Sequence, residues 1–512
     1  MKNISTDSQT MATLFHNVAA RCATREALVA DNARLTYAEL DKRTDVLAQA
    51  LQAQGVNKDT IIATLLLDGL AMVELSIATA KLGATLLTLN WRLAPAELSY
   101  IMSDASPQFY FVSTRFETLF NEAGGTEAYF IEEGDPQGAL APFDVNTNAD
   151  ANELNVEVSR NDRWYMLYTS GTTGRPKGCQ HSQGGYFINV LSWMHQLGIT
   201  EKDCVLEPFP LFHVNGFGTL LCGLIAGAKV VIPARDNSYE DSLRLSEREG
   251  VTIQPVMGEA FPYFTLLEKL QLQLKLRLLI VPGGAFPKEA LEILAAGLNV
   301  DMRCMYGQTE SGCWITMMSL EDQLAHIKSC GKVMPHLASR IVDDNGQEVA
   351  CGEVGELLIK GETITMGYHN LPEATADTIV DGWLHTGDLF YQDEDGFLYI
   401  AGRKKELIKT GGENVYPAEV DSVLVSHPSI VDACVVGVPD PRWQEAVKAC
   451  VVVAPDASLS REEIVAWCRE HIAGYKRPRF IEFIDEIPRD FNGKAQRRVL
   501  AERETTPDQA VD

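Results

Sequence analysis

The segment Tyr168-Thr-Ser-Gly-Thr-Thr-Gly-Arg-Pro-Lys-Gly178 says most about the fold and the chemistry of this chain. Its glycines and Pro176 oppose both helix and strand, so the segment is predicted to be a loop. Its hydroxyl side chains, its backbone N–H groups and Lys177 can surround a phosphate chain. Met166 and Leu167 precede it and predict a buried strand that delivers the loop to a site.

A surface turn rich in glycine and threonine is the alternative interpretation of this composition. The P-loop of nucleotide hydrolases is excluded by spacing. That motif ends in Gly-Lys-Ser/Thr, whereas Lys177 here follows Pro176 and precedes Gly178.

The size and charge of the chain limit the classes of protein to which it can belong. Its 512 residues predict roughly two to four domains. Its formal net charge is −26, from 44 basic and 70 acidic residues. Such a charge argues against nucleic-acid or anionic-membrane partners, because both require a basic face. An anionic ligand must therefore be attracted by local clusters of lysine and arginine.

The cysteines and the apolar tracts indicate a cytoplasmic protein. Eleven cysteines are scattered without a Cys-x-x-Cys pair, which is typical of reduced thiols in the cytosol. The polar N-terminus lacks the apolar core of a signal peptide. The most apolar tract, residues 216–232, is short and interrupted by Lys229, so it predicts a buried helix and strand and no membrane span.

From about residue 30 the pattern alternates between helices and short apolar runs. Thr36-Tyr-Ala-Glu39 is a capping-box signature that opens a helix extending to about Gln54. Alternation of this kind predicts an α/β fold whose large N-terminal domain holds helix-covered, mostly parallel sheets. The predicted strands are residues 61–67, 86–89, 109–112, 229–232, 252–256, 276–281 and 301–305.

The loops that follow these strands are the places where a ligand is expected. Ligands of parallel sheets bind beyond the carboxyl ends of the strands. The hydroxyl-rich loop, Pro282–Phe286 and Tyr306–Glu310 are predicted to lie there.

The C-terminal part of the chain has a different character. Residues of about 335–400 carry short strands and turns, which predict a small β-rich subdomain. After Gly402 the pattern predicts a smaller, mobile α+β domain with strands and a helix that begins after Ser460. We place the boundary at 402/403, so that the two domains are residues 1–402 and 403–512.

Five motifs occur in a fixed order along the chain. They are Tyr168–Gly178, Tyr306-Gly-Gln-Thr-Glu310, Asp381-Gly-Trp-Leu-His-Thr-Gly-Asp388, Gly402-Arg-Lys-Lys-Glu-Leu-Ile-Lys-Thr-Gly-Gly-Glu-Asn414 and Asn492-Gly-Lys494. Together they resemble the adenylate-forming superfamily, specifically its acyl-CoA synthetases, over essentially the whole chain.

The resemblance implies an enzyme with two half-reactions. A carboxylate attacks the α-phosphate of ATP, which gives acyl-AMP and pyrophosphate. The thiol of coenzyme A then displaces AMP and forms a thioester. ATP, Mg²⁺ and coenzyme A are the implied substrates and cofactors, and chemistry of this type depends mainly on positioning and charge neutralisation.

The resemblance also implies an ATP site. In it Glu310 is the Mg²⁺ ligand, Thr309 lies beside the α-phosphate, and Tyr306 stacks on or flanks the adenine. Asp388 contacts the ribose, and Arg403 contacts the ribose or a phosphate. The implied contacts with ATP or AMP are Thr169, Ser170, Gly171, Thr172, Thr173, Gly174, Lys177, Gly284, Ala285, Tyr306, Gly307, Thr309, Asp388 and Arg403.

Lys494 is the implied catalytic lysine of adenylation, where it bridges the carboxylate and the α-phosphate. A solvated basic tail is the alternative interpretation of this residue. The resemblance further implies that the C-terminal domain rotates about Lys405 between the half-reactions and removes Lys494 from the site. The implied coenzyme A channel then consists of Gly411, Gly412, Glu413, Lys404 and Lys476.

The implied acyl pocket contains His213, Val214, Gly216, Phe286 and Gln308. His213 is expected to orient the carboxylate, and Thr169 joins it, Glu310 and Lys494 as an expected catalytic residue. The phenylalanines near this pocket could equally belong to the core.

Residues 256–262 depart from the family pattern. Gly258 and Glu259 stand where a proline-containing apolar turn is usual. Glu259 either faces the substrate and selects a polar or cationic group or is simply solvated. The acid is not readable from these residues.

The prediction is therefore an ATP-dependent carboxylic acid–CoA ligase acting on a small-molecule carboxylate. The alternatives are an adenylating enzyme that loads a separate carrier protein, a luciferase-like oxygenase and a non-catalytic sensor. The prediction allows a homodimer.

Overall fold

The computed structural model describes two compact units. The described residues are 9–30, 32–143, 154, 156–169, 175–234, 238–256, 266, 269–282, 291, 300–455, 457–489, 494–506 and 509–511. The first unit is Met1–Ser339 with Ile359–His385, and the second is Arg340–Leu358 with Thr386–Asp512. The predicted boundary at 402/403 stays a prediction.

Strands and helices alternate along most of the first unit, and the second unit contains further strands and helices. The strands are β1 (Glu26–Ala30), β2 (Ala33–Thr36), β3 (Ile61–Leu65), β4 (Thr85–Thr88), β5 (Phe109–Ser113), β6 (Tyr129–Ile131), β7 (Arg163–Thr169), β8 (Lys177–Ser182), β9 (Cys204–Leu206), β10 (Lys229–Val231), β11 (Ile253–Pro255), β12 (Leu278–Pro282), β13 (Asp301–Gln308), β14 (Cys313–Ser319), β15 (Lys332–Val333), β16 (Ala338–Val342), β17 (Gly355–Lys360), β18 (Gly367–Tyr368), β19 (Ile379–Val380), β20 (Trp383–Gln392), β21 (Leu398–Arg403), β22 (Ile408–Thr410), β23 (Glu413–Val415), β24 (Ile430–Asp440), β25 (Gln444–Val453) and β26 (Phe480–Phe483). The helices are α1 (Met11–Arg21), α2 (Tyr37–Ala53), α3 (Leu70–Leu82), α4 (Pro95–Ala105), α5 (Glu117–Glu122), α6 (Gln183–Leu197), α7 (Val214–Ala226), α8 (Tyr239–Glu249), α9 (Leu320–Ala325), α10 (Pro372–Thr378), α11 (Pro417–Val425), α12 (Arg461–His471) and α13 (Arg497–Ala501).

Two sheets organise the first unit, and both are mostly parallel. One has the strand order β15-β14-β13-β12-β11-β9-β10-β1-β2, and the other β18-β8-β7-β4-β3-β5-β6. The central strands of each pair in parallel. Antiparallel strands occur at the edges, namely β2, β14 and β15 in the first sheet and β8 and β18 in the second. The prediction of mostly parallel sheets is confirmed.

Helix α3 shows why charged residues can lie deep in this unit. All of its residues are buried, as expected for a helix covered on every side. Glu74 pairs with Arg43 at 2.5 Å, and Lys81 pairs with Asp41 at 2.7 Å. A buried charge is tolerated where a partner of opposite sign lies within contact.

The predicted capping boxes are confirmed at two helices. Thr36 caps α2 and exchanges hydrogen bonds with Glu39, and Ser460 caps α12 in the same way with Glu463. The hydrogen bonds from the backbone and side chain of Thr36 hold the pKa of Glu39 below its ordinary value. Both helices begin where the sequence predicts.

The second unit contains an antiparallel sheet with helices. Its strand order is β23-β22-β25-β24, and β26 pairs in parallel with β25. Val435, Val447, Ile464 and Ile481 are among the buried residues that form its core with residues of α11 and α12. This mixed arrangement agrees with the predicted α+β domain.

The prediction that residues 216–232 form a buried helix and a strand is also confirmed. Helix α7 is buried at most positions and is followed directly by β10. None of the helices in the described part of the chain has the length and apolar character needed to span a bilayer.

Candidate active site

The hydroxyl-rich loop connects two antiparallel strands of the first unit. Thr169, the last residue of β7, pairs with Lys177, the first residue of β8. Trp164 to Leu167 of β7 are buried, as predicted for the strand that delivers the loop. Ser170, Gly171, Thr172, Thr173 and Gly174 lie outside the described residues.

Both ends of this loop are fixed to helix α4. The hydroxyl of Tyr168 donates a hydrogen bond to Asp104 at 2.5 Å, and the Arg175 guanidinium lies 5.6 Å from the ring centroid of Tyr100. Gly178 is required by close packing, because an added Cβ would lie 2.9 Å from the Tyr168 ring. The strands therefore place Thr169 and Lys177 on a rigid base.

Tyr306, Gly307 and Gln308 form the end of β13, which turns back into β14. Gly307 pairs with Trp314, and the register shifts between Tyr306 and Gly307. A Cβ at Gly307 would lie 1.5 Å from the carbonyl oxygen of Cys313, so the strand pairing itself requires glycine. A bulge of this kind re-aims the residues beside it.

Glu310 follows in a short turn, Thr309–Ser311. Its carboxylate accepts a hydrogen bond of 2.8 Å from the hydroxyl of Tyr368, and the Lys177 ammonium lies 4.6 Å from the ring centroid of the same tyrosine. The structure thus brings together Lys177 and Glu310, two residues from separate motifs. Tyr368, which joins them, was missed by the sequence analysis.

His181 contacts the backbone of the same turn. It lies in β8, is fully buried, and hydrogen bonds with the backbone of Thr309. Burial lowers the pKa of His181 to about 4, so the ring is neutral at neutral pH. Its Nε2 lies 3.4 Å from the sulfur of Cys179. His181 was not predicted from the sequence, because a single histidine in a strand carries no signal of its own.

The predicted acyl-pocket residues His213, Val214 and Gly216 lie at the start of α7, where His213 is the N-cap. An added Cβ at Gly216 would lie 2.6 Å from the carbonyl oxygen of Pro210, which explains the glycine. Phe286 and Glu259 lie outside the described residues, as do Gly284 and Ala285.

Asn215 connects this helix start with the hairpin that follows Gln308. Its Oδ1 accepts hydrogen bonds from the Trp314 indole at 2.8 Å and from the Cys313 thiol at 2.7 Å. Trp314 in turn stacks on Trp193, with ring centroids 3.5 Å apart. Asn215 was also missed, because its partners are distant in sequence.

In the second unit, Asp388 and Arg403 face each other on paired strands. They are direct partners in the β20–β21 ladder, with Arg403 Nε 3.4 Å from Asp388 Oδ1. The Asp388 backbone N–H is bonded to the Thr386 hydroxyl at 3.1 Å, and the Gly387 N–H to Glu356 at 3.1 Å. The Thr-Gly-Asp turn is thereby fixed.

Gly411 and Gly412 form the two-residue turn of the hairpin β22–β23. Their φ angles are 61° and 86°. Two successive positive φ values are typical of a type I′ turn, which favours glycine at both positions. Glu413 follows at an exposed position. The two glycines therefore allow the close turn of this hairpin.

The two lysines predicted for the coenzyme A channel form ion pairs. Lys404 contacts Glu356 at 3.0 Å and Asp344 at 3.3 Å, and Lys476 contacts Glu419 at 2.7 Å. Burial lowers the pKa of both lysines, but the carboxylates outweigh it and raise the pKa above the ordinary value.

Lys494 lies at an exposed position before α13, and Lys405 lies in the short turn Lys404–Glu406. The neighbouring arginines are paired, Arg497 with Asp421 at 2.5 Å and Arg489 with Asp432 at 2.7 Å. The catalytic role of Lys494 stays a prediction, beside the alternative of a solvated basic tail.

Known proteins resemble the chain over nearly its whole length. The family model described as AMP-binding enzyme matches residues 15–369, and the model of the AMP-binding enzyme C-terminal domain matches residues 419–494. A 2-succinylbenzoate–CoA ligase of Bacillus mycoides (strain KBAB4) is 33% identical over 480 residues, which cover 93% of this chain and 95% of that protein.

Solved structures give the same result. The o-succinylbenzoate CoA synthetase from Bacillus subtilis, in complex with its acyl-adenylate intermediate, has a TM-score of 0.83 and 30% identity, covering 96% of this chain and 98% of that one. The same enzyme with ATP and magnesium ion has a TM-score of 0.82 and 31% identity, covering 95% and 98%. A fatty acyl CoA synthetase from Mycobacterium tuberculosis has a TM-score of 0.79 and 29% identity, covering 96% and 98%.

Proposed function

The chain belongs to the AMP-binding enzyme family and is an ATP-dependent carboxylic acid–CoA ligase, and from that premise we propose how its residues divide the two half-reactions. The observation that carries the proposal is that Lys177 and Glu310 both contact Tyr368. A cation and a carboxylate that contact the same tyrosine, with the cation following a hydroxyl-rich sequence, suit a nucleotide that brings phosphates and a divalent ion together.

The first unit binds the phosphates and the acid. Thr169, the hydroxyls of the loop that follows it and Lys177 hold the β- and γ-phosphates, which leave as pyrophosphate. His213 orients the substrate carboxylate. Because a carboxylate is already ionised at neutral pH, its attack on the α-phosphate needs no general base. Positioning and charge neutralisation supply the acceleration.

Glu310 is the residue that would coordinate the metal ion. Mg²⁺ enters with ATP as its complex, and one carboxylate with substrate phosphates is a usual ligand set for this ion. The described part of the chain holds no group of three or more histidine, cysteine, aspartate or glutamate residues that would make a resident site. A single carboxylate suits a Mg²⁺ ion whose other ligands are substrate phosphates and water.

The second unit supplies the ribose contacts and the groups that change between the half-reactions. Asp388 and Arg403 hold the ribose. Lys494 stabilises the charge that develops as the carboxylate meets the α-phosphate, and Lys405 is the hinge about which it leaves. In the second half-reaction Gly411 and Gly412 form the wall of the channel through which the thiol of coenzyme A reaches the acyl-AMP.

Assays with a panel of carboxylic acids would identify the substrate. A panel is needed because relatives of nearly equal sequence identity are named for 2-succinylbenzoate and for fatty acids. The panel contains 2-succinylbenzoate, benzoates, short and long fatty acids and cationic acids, each with ATP and coenzyme A. We expect at least one acid to give AMP, pyrophosphate and a thioester in equal amounts. If no acid in the panel gives AMP release that depends on coenzyme A, the result would favour a carrier-protein or oxygenase activity instead.

A cytoplasmic location is part of the proposal. Eleven free thiols, most of them buried, suit a reducing compartment. A homodimer stays a prediction, which light scattering after size exclusion tests directly.

A further inference from the structure

Tyr368 occupies the space between two residues with proposed roles in binding Mg·ATP. Its hydroxyl donates a hydrogen bond to Glu310 Oε1 at 2.8 Å, and its ring lies 4.6 Å from the Lys177 ammonium. The residue as a whole is 9% exposed, so water competes little for either contact. None of the five motifs contains Tyr368.

Backbone pairing fixes the position of this tyrosine. Strand β18 runs antiparallel to β8, with Gly367 opposite Gln180 and Tyr368 opposite Cys179. The His369 N–H donates to the carbonyl oxygen of Gly178 at 2.7 Å. The segment is therefore attached to the strand that begins with Lys177, directly after the hydroxyl-rich loop.

A further hydrogen bond attaches the same segment to the turn that carries Glu310, because the backbone N–H of Thr365 donates to the carbonyl oxygen of Glu310 at 2.7 Å. The Tyr368 N–H donates to the hydroxyl of Thr375 in α10 at 2.9 Å, which fixes the other end of the segment. The segment from Thr365 to His369 thus connects the loop strand with the Glu310 turn.

The two contacts of Tyr368 use different parts of its side chain. A tyrosine hydroxyl has an ordinary pKa of about 10, so it carries its proton at neutral pH and is the donor to the Glu310 carboxylate. An ionised carboxylate accepts at both oxygens, so a hydrogen bond at Oε1 leaves Oε2 for a ligand. The ring face attracts the ammonium of Lys177 without neutralising it.

We propose that Tyr368 is a positioning residue for Mg·ATP: it orients the Glu310 carboxylate and restrains the Lys177 ammonium, so that metal and phosphates meet a preformed pair. The inference rests on the proposed function of these two residues. It predicts that the hydroxyl matters for the metal complex and not for ATP alone. A tyrosine that only fills space would be replaced by phenylalanine without such a distinction.

The test measures binding without turnover. The Tyr368→Phe variant and the unmodified chain are titrated by calorimetry with a non-hydrolysable ATP analogue, once with excess Mg²⁺ and once with EDTA. We expect the Kd for the magnesium complex to rise about tenfold, as for the loss of a hydrogen bond to a charged group, and the Kd without metal to change less than about twofold.

Tyr399→Phe is the matched control. The Tyr399 hydroxyl also donates to a carboxylate, that of Asp393, at 2.9 Å, and neither residue has a proposed role in binding. This variant should bind both forms of the analogue as the unmodified chain does. Thermal melting of all variants reports whether each is folded, and Tyr368→Met, which lacks the ring as well, serves if Tyr368→Phe melts early.

The Glu310→Gln variant separates failure of the inference from failure of the proposed function. We expect it to lose most of the benefit of Mg²⁺, and Tyr368→Phe to add nothing in that background. Unchanged magnesium binding in Tyr368→Phe, or equal weakening with and without metal, would overturn the positioning role alone. A Glu310→Gln variant that still gains affinity from Mg²⁺ would overturn the metal assignment itself.

Discussion

The two units hold their predicted site residues in different ways. In the first unit, Lys177, Tyr368 and Glu310 lie on strands and turns tied together by backbone hydrogen bonds, over the buried His181. In the second unit, the predicted coenzyme A lysines are partly exposed and pair with carboxylates through their side chains.

The difference follows the chemistry that each unit is proposed to perform. Phosphates and metal must meet groups that do not move, because misplacement of about 1 Å costs much of the rate. Groups that act in only one half-reaction must exchange partners, and exposed ion pairs contribute little to stability, so they exchange easily. The contrast between a fixed site and exchangeable contacts can be tested in four ways, from the largest expected effect to the smallest.

Gly307→Ala should damage the fixed site most. Its new Cβ would lie 1.5 Å from the Cys313 carbonyl oxygen, so β13 and β14 must separate. We expect a loss of about 3 kcal/mol or more in the free energy of unfolding, measured by urea denaturation. Gly346→Ala is the control, because a Cβ added at Gly346 would have no atom within 4 Å. The only cost is that alanine must adopt the φ of +77°. It should cost about 1 kcal/mol. Equal losses would show that the hairpin is not rigid.

Asp388→Ala should weaken nucleotide binding in the second unit. Removing a carboxylate that accepts from a ribose costs about 1.5–3 kcal/mol, or roughly 10–100-fold in the Kd for AMP. Calorimetry measures this value directly. Asp395→Ala changes an exposed aspartate of a nearby turn and should leave the Kd as it is. An unchanged Kd for Asp388→Ala would exclude the ribose contact.

His181 should make the first unit sensitive to acid. Burial lowers its pKa to about 4, so between that value and the ordinary 6.5 the unfolded chain binds a proton that the folded chain does not. Stability is therefore complete above about pH 6.5 and falls as the pH is lowered towards 4, by about 1.4 kcal/mol per unit.

Urea denaturation between pH 4.5 and 7 checks this prediction. His181→Asn should remove the contribution of this histidine and leave a shallower slope. His336, whose pKa burial also lowers to about 4, should contribute a similar slope that His336→Gln removes. A slope that survives both substitutions would assign the acid sensitivity to carboxylates.

Glu419→Gln should have the smallest effect, and a favourable one. It removes the carboxylate that pairs with Lys476 at 2.7 Å and leaves the ammonium for the proposed contact with the phosphates of coenzyme A. We expect the KM for coenzyme A to fall up to about threefold, and Lys476→Met to raise it by a similar factor. If neither variant changes the KM, Lys476 lies outside the coenzyme A site.

Local sequence signals predicted the elements better than the contacts between them. The capping boxes at Thr36 and Ser460 and the turn at Gly411-Gly412 are present because each depends on a few neighbouring residues. Tyr368 and Asn215 gave no such signal. Tyr368 meets Glu310 only after 58 residues of separation have been closed by folding.

The position of the antiparallel edge strands was the other property that the pattern did not contain. Apolar runs predicted mostly parallel sheets, which are present, but they did not show that β7 and β13 each pair with an antiparallel partner, β8 and β14. Direction depends on the length and conformation of the connection, which apolar periodicity does not encode. The glycines at 178 and 307 reflect these close turns, although the sequence alone suggested ligand contact for Gly307.

The separation of the half-reactions is tested most directly by single-turnover kinetics of two variants side by side. Acyl-AMP formation from acid and ATP, and thioester formation from supplied acyl-AMP and coenzyme A, are measured separately by rapid quench. Lys494→Ala should lose about 10²–10³-fold in the first step and keep the second nearly unchanged, as expected for removal of one charge-stabilising group. Lys405→Pro should slow the second step more than the first. Parallel losses in both steps for both variants would contradict the account.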